Sequence, residues 1–146
     1  MILNYTRIER DGQKPQKPFF ATDGAAGLDL SVFGNDITIA PHGHSVVPTG
    51  IKVAIPQGYV GLIYVRSSLG IKRGIMLSNS VGVIDSDYRG ELLVSLYNTS
   101  SEPQILKSGE RIAQLVIVPY LRPELEEKDE LDETERNEGR FGSTGK

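Results

Sequence analysis

Short apolar runs, each closed by turn residues, set the rhythm of this chain. Three are long: Gly58 to Val65 (GYVGLIYV), Glu91 to Asn98 (ELLVSLYN) and Arg111 to Pro119 (RIAQLVIVP). All are rich in aliphatic or aromatic residues and bounded by Gly, Pro, Asn or Ser, the signature of strands. Shorter strands are predicted at Ile2 to Arg7, Leu28 to Val32, Ile37 to Ala40, Ser45 to Val47 and Ile51 to Ile55. Turn signals separate them: Pro41-His42-Gly43, Pro48-Thr49-Gly50, Pro56-Gln57-Gly58 and Lys107-Ser108-Gly109. Many short strands at regular spacing predict an all-β sandwich, jelly roll or barrel. Only Ser67 to Lys72 reads as a helical turn, and Asp11 to Pro18 as a polar loop.

Composition narrows the class. At 146 residues the chain is long enough for one domain with a substantial core. A formal net charge of -3 offers no basic excess to displace counterions from a duplex, so no nucleic acid is expected as a partner. The absence of cysteine rules out a disulfide framework and thiolate metal sites. His42 and His44 flank Gly43 in a loop and lack the further ligands a zinc site needs. No run is long and apolar enough for a membrane span and no signal-peptide core is visible, so a soluble, cytoplasmic protein is expected. After Pro123 the chain turns acidic, from Glu124 to Glu135, yet its tip carries Arg136, Arg140 and Phe141 among glycines. Disordered tails are poor in aromatics, which favours a mobile arm that orders on a ligand.

Several constellations carry chemistry. Gly82 to Gly90, GVIDSDYRG, joins an apolar strand to two carboxylates, a tyrosine and a closing glycine. Asp85 at the strand end suits a general base acting on water, and Tyr88 suits a platform under a sugar or base. Asp-Ser-Asp equally suits a β-turn, and Tyr88 a packed aromatic. Arg66-Ser67-Ser68 combines a bidentate anion ligand with two hydroxyls, although the serines also suit a helix cap. Asp29 sits inside an apolar strand and needs a partner, either an arginine or the hydration shell of a cation. Gln114 suits phosphate or a backbone group, and Arg111 a structural contact. Phe141-Gly142-Ser143-Thr144-Gly145 suits a loop that closes over a base and its phosphates. It is not a Walker A motif, because Arg140 stands where the first glycine belongs.

In this order, AGLDL (26–30), RSSLG (66–70), GVIDSDYRG (82–90), GERIAQLV (109–116) and RFGSTG (140–145) resemble the motifs of the trimeric dUTP diphosphatase (dUTPase) family. The resemblance implies a jelly-roll or distorted β-barrel subunit of β-clip type over residues 1–122. A C-terminal arm carrying the glycine-rich lid would span 123–146. It further implies a homotrimer whose active sites are shared between subunits, and hydrolysis of dUTP to dUMP and pyrophosphate. Mg²⁺ would be bound mainly through the triphosphate.

Carried over by position, Asp85 looks like the base that activates water, and Tyr88 like the ring under the deoxyribose. Asn79, with backbone groups of Val83, Ile84 and Leu93, would read uracil in a hairpin formed by the two strands. Arg66, Ser67, Ser68 and Gln114 look like phosphate ligands, and Asp29 like a carboxylate holding water on the metal. Arg136, Gly142 and Ser143 would serve the lid, and Phe141 would cap the uracil. The chain departs from the family pattern where Asn137 and Arg140 replace glycines, which would strain any backbone needing positive φ there. A dCTP deaminase shares the fold and the Arg-Ser-Ser motif but needs a Thr-Leu-Glu segment that this chain lacks. A non-catalytic module would be expected to lose Asp85 or the arm, and both are present.

Overall fold

Alternation decides which way each strand faces. Ile51 and Val53 are buried on either side of exposed Lys52, and Ile75 and Leu77 on either side of Met76. Val94, Leu96 and Asn98 point inward while Leu93 points out. This period of two follows from the pleat of an extended backbone. The computed structural model describes residues 1–141 and Ser143. Gly142, expected in the lid, lies outside the described residues, as do Thr144 and Gly145 of the same motif.

In chain order the elements are β1 (Asn4–Arg7), β2 (Phe19–Phe20), β3 (Leu28–Ser31), β4 (Ile37–Ile39), β5 (His44–Pro48), β6 (Ile51–Ala54) and β7 (Tyr59–Val65). There follow α1 (Ser67–Arg73), β8 (Ile75–Leu77), β9 (Gly82–Ile84), β10 (Leu93–Asn98), β11 (Gln104–Leu106) and β12 (Arg111–Pro119). The largest sheet has the order β2-β3-β12-β7-β9, and a second has β5-β10-β8. Two-stranded pairs β1-β6 and β11-β4 complete a jelly-roll arrangement. Every pairing is antiparallel, and among the described residues the sheets do not close into a barrel.

The core lies between these sheets. Leu30, Ile63, Ile112 and Leu115 of the larger sheet share one cluster with Val47, Ile75, Val94 and Leu96 of the smaller. Burying each such side chain stabilises the fold by about 1.5–3 kcal/mol before entropy is counted. The predicted strands form within a residue or two of their expected ends. β2, β8 and β11 were not foreseen, because two or three residues make too short a pattern to register.

One expectation is corrected. β9 and β10 do not pair as a hairpin: β9 joins β7, and β10 lies between β5 and β8. The segment between them therefore crosses from one sheet to the other. Gly82 and Ile84 match Ile63 and Gly61 on β7, whereas Leu96 to Asn98 already have β8 as a partner. β10 has β5 on one edge and β8 on the other, and β9 is laddered on one edge only, by β7.

Asn98 is the polar keystone of the smaller sheet. It is fully buried, its Nδ2 donates to Glu102 O (2.8 Å), Ile39 O and Ala40 O (both 3.2 Å), and its Oδ1 accepts from Ser100 N (2.9 Å) and Ser100 Oγ (2.7 Å). Removing the amide strands several of these groups away from water. Asn98→Ala should lower stability by about 2–3 kcal/mol, measured by urea unfolding; a change within error would show that water replaces the amide.

Candidate active site

The most tightly built polar cluster gathers around Asp29. β3 presents its carboxylate inward between buried Leu28 and Leu30, leaving the residue 2% exposed. A buried carboxylate needs compensation, and β12 supplies it. Arg111 Nη1 donates to Asp29 Oδ2 at 2.8 Å, and Gln114 Nε2 to Oδ1 at 3.2 Å. Arg66 Nε stands 3.7 Å from Oδ1. Of the two partners the sequence left open, an arginine is present. Arg111 was read as structural, and here it joins the site.

A bulge explains how both β12 residues reach one carboxylate. Positions three apart face opposite sides of a regular strand. The register of β12 against β3 slips between Arg111 and Ala113, which turns Arg111 to the same side as Gln114. Arg111 also lies over the Phe19 ring, 5.8 Å from its centroid.

Arg66 leads from β7 into α1. Its own N–H donates to Ile112 O (3.1 Å), and its carbonyl accepts from Leu69 N (3.0 Å) and Gly70 N (3.2 Å). No side chain caps the helix, and Ser67 and Ser68 are exposed. Neither hydroxyl has a hydrogen-bond partner among the described residues, so the capping alternative is not used. Two arginines beside one carboxylate leave a net positive locus next to these hydroxyls, a composition suited to phosphate oxygens.

A second cluster follows β9. Tyr88 N donates to Asp85 O at 3.2 Å, so the Asp-Ser-Asp segment is a turn, and that turn leaves Asp85 exposed. Asp85 lines an open cleft of about 860 Å³ together with Val83, Tyr59, Arg89, Tyr120 and Arg122. Tyr88, 41% exposed, stands beside the cleft rather than in its wall. Arg122 and the two cleft tyrosines come from segments without a motif of their own, and Arg89, inside GVIDSDYRG, carries no role in the sequence reading.

Asn79 occupies the exposed turn between β8 and β9. Val81 N donates to Asn79 O at 2.6 Å around Ser80, whose φ is +62°. That i to i+2 contact with positive φ is a γ-turn, which is rare and strained for a non-glycine residue. Val83 and Leu93 are 61% and 50% exposed. β9 forms the free edge of its sheet, and Leu93 is matched only with Pro48 of β5. Both strands thus keep backbone donors and acceptors unpaired on one side.

The two clusters do not meet within one chain. Ile84 is opposite Gly61, near the start of β7, and Arg66 follows its end. Five residues of strand separate them by about 16 Å. The tip is remote again: Arg136 Nε donates to Gly139 O (3.2 Å), Ser143 N to Arg140 O (3.0 Å), and Phe141 is wholly exposed. Asn137 adopts φ +40°, as asparagine tolerates, and exchanges hydrogen bonds with Thr134 at 2.7 and 3.0 Å. Arg140, the other replaced glycine, is not at positive φ. No three Asp, Glu or His side chains converge as a metal set among the described residues.

Comparison with known proteins gives a consistent picture. The dUTPase family profile matches residues 15–145. A deoxyuridine 5′-triphosphate nucleotidohydrolase of Hydrogenobaculum sp. (strain Y04AAS1) is 49% identical, covering 88% of this chain and 89% of the relative. One from Alcanivorax borkumensis is 45% identical over 100% of this chain and 99% of the relative. Among solved structures, the dUTPase of Staphylococcus bacteriophage 80alpha with dUPNHPP superposes with a TM-score of 0.82 at 29% identity, covering 99% of this chain and 98% of that one.

Removing Arg111 leaves Asp29 buried with weaker partners. Arg111→Ala should destabilise the protein by about 2 kcal/mol, less than the ~3–5 of a fully broken buried pair because Arg66 and Gln114 remain. Thermal unfolding measures it, and the double variant Asp29→Asn/Arg111→Ala should lose less than the two single losses combined.

Proposed function

Because the chain belongs to the dUTPase family, we infer that it is a deoxyuridine 5′-triphosphate nucleotidohydrolase. It hydrolyses dUTP to dUMP and pyrophosphate, which keeps uracil out of DNA and supplies dUMP for thymidylate synthesis. The finer reading of the site is our own. We propose a homotrimer in which residues 1–122 form the core and 123–146 an arm, with each active site built from three chains. The observation that carries it is the separation along β7. Asp85 and the Arg66–Ser67–Ser68–Gln114 group must both reach one substrate, and about 16 Å of strand holds them apart within a subunit. Cyclic symmetry brings the two ends together from neighbouring copies.

In that assembly uracil lies against the open edges of β9 and β10. Asn79 and the backbone of Val83, Ile84 and Leu93 pair with its N3–H and carbonyl groups. Cytosine reverses a donor and an acceptor there and leaves buried groups unpaired, a large penalty. Tyr88 underlies the deoxyribose and leaves no room for a 2′-hydroxyl. Arg66, Ser67, Ser68 and Gln114 of a second chain hold the phosphates. Asp85 accepts a proton from the water that attacks the α-phosphorus in line, and pyrophosphate leaves. From a third chain, Phe141 caps the base, and Arg136, Gly142 and Ser143 take the distal phosphates.

The donor set fits a metal brought in by the substrate, since a hard cation needs oxygen ligands and no protein cluster offers them among the described residues. Mg²⁺ on the triphosphate would neutralise charge developing on the leaving phosphates. Asp29 retains lone pairs beyond those given to Arg111 and Gln114 and would accept from a water on that metal. Among the described residues, no helix is long and apolar enough to cross a membrane, and we propose a cytoplasmic location.

Purified protein given dUTP, dCTP, dTTP and UTP with Mg²⁺ should release pyrophosphate from dUTP with strong preference. Equal release from dCTP would reject the substrate assignment. Site sharing is tested by complementation. Asp85→Asn and Arg66→Ala should each abolish turnover. Unfolding and refolding them together should restore about a quarter of the sites, those where both residues are intact. A site confined to one chain would recover nothing.

A further inference from the structure

The turn that carries Asp85 and Tyr88 is fastened from outside the site. The phenol end of the Tyr88 ring is packed against Gly90: a Cβ added there would sit 2.3 Å from Tyr88 Oη and 2.5 Å from its Cζ. The hydroxyl donates to Glu91 O at 2.9 Å. The ring therefore follows the backbone of residues 90 and 91, and that backbone follows the Glu91 side chain. Glu91 Oε1 accepts from Gly50 N at 2.7 Å, while Oε2 pairs with Arg10. The Glu91 side chain is 12% exposed.

Both anchors are themselves fixed. Gly50 is buried at φ +69°, with no room for a Cβ against Phe33 and Pro15, and its carbonyl accepts from Ile8 N at 2.7 Å. Arg10 lies over the Phe33 ring, 5.2 Å from the centroid. The neighbouring residue is held too, with Thr49 Oγ1 donating to Leu92 O (2.7 Å) and Leu92 N to Ile51 O (2.8 Å). The turn between β5 and β6, together with the segment after β1, thus forms a jig for the chain just beyond Tyr88.

We propose that Glu91 is a positioning residue for sugar selection, and that Arg10 is its second anchor. The ion pair and the Gly50 bond set the height of the Tyr88 ring and so the room above it for a 2′-hydroxyl. This rests on the reading that Tyr88 underlies the deoxyribose. A platform that excludes one oxygen atom works only if it is held to a fraction of an ångström. Without the anchors the ring can sink and admit ribose, while the groups that read the base and clamp the phosphates stay in place.

The test is the ratio of kcat/KM for dUTP to that for UTP. Glu91→Gln retains an acceptor for Gly50 and loses the charged pair; Arg10→Ala removes the second anchor. Each should lower the ratio by about tenfold, chiefly through better use of UTP, with kcat on dUTP nearly unchanged. Arg10→Lys, which keeps the charge, should restore most of the preference. Lys107→Ala breaks an exposed pair with Asp36 (2.8 Å) on another surface and should leave the ratio as it was. Tyr88→Ala separates the two layers of the inference. If it collapses the ratio while Glu91→Gln and Arg10→Ala do not, the positioning role is overturned and the platform stands. If Tyr88→Ala also leaves the ratio intact, both fall.

Discussion

A buried carboxylate shared by two arginines holds one end of the larger sheet together. Asp29 on β3 collects Arg111 and Gln114 from β12 and Arg66 from the end of β7, so one charge ties three adjacent elements. Burying a lone carboxylate would be strongly unfavourable, and its arginine partners offset that desolvation. The same contacts fix the direction of both guanidinium groups. A phosphate site is useful only if its cations are in place before the ligand arrives, because ordering flexible arginines on binding costs affinity. In the proposed site Asp29 does that ordering during folding.

On the proposed reading the Arg66 cluster would be inert alone, since β7 keeps it far from Asp85. Strands are stiff rulers, and a seven-residue strand does not fold back on itself. In the proposed trimer, assembly is a condition of catalysis rather than an addition to it. A subunit on its own presents a cationic end of the large sheet and a carboxylate-bearing turn at the other. This also accounts for an open cleft around Asp85 that has aromatic and cationic walls but no phosphate ligands of the Arg66 group.

Much of this was legible from residue order, for identifiable reasons. The long strands declared themselves because alternation and turn residues agree over five or more positions. The polar islands stood out because each interrupts an apolar run that had no structural need of them. What stayed hidden depends on contacts distant in sequence. Arg111 and Gln114 have the wrong spacing to share a face, and only the bulge in β12 reconciles them. Glu91 reads as an ordinary strand-end charge, because its partners are Gly50 and Arg10, far back in the chain. The exchange of β9 into the larger sheet was equally hidden, since the Val-Ile of that strand suits either neighbour. Asn137 was flagged as a strained replacement for glycine, yet its side chain closes a turn with Thr134 that glycine could not make.

That exchange supplies the open edges on which the proposed reading of a planar base depends. A true hairpin between β9 and β10 would spend their facing backbone groups on each other. By joining β7 instead, β9 keeps an unpaired edge, and Leu93 lies beyond the reach of β8. Exposed edges normally invite aggregation, and proteins keep them short. β9 has three residues and ends directly in the Asp85 turn. The unpaired groups are therefore few and lie beside the turn that carries Asp85 and Tyr88. A pyrimidine is small enough to use them, and its donor and acceptor pattern decides whether they are satisfied. In the proposed site, base selection and catalytic placement then come from one topological choice, a strand that leaves its neighbour's sheet.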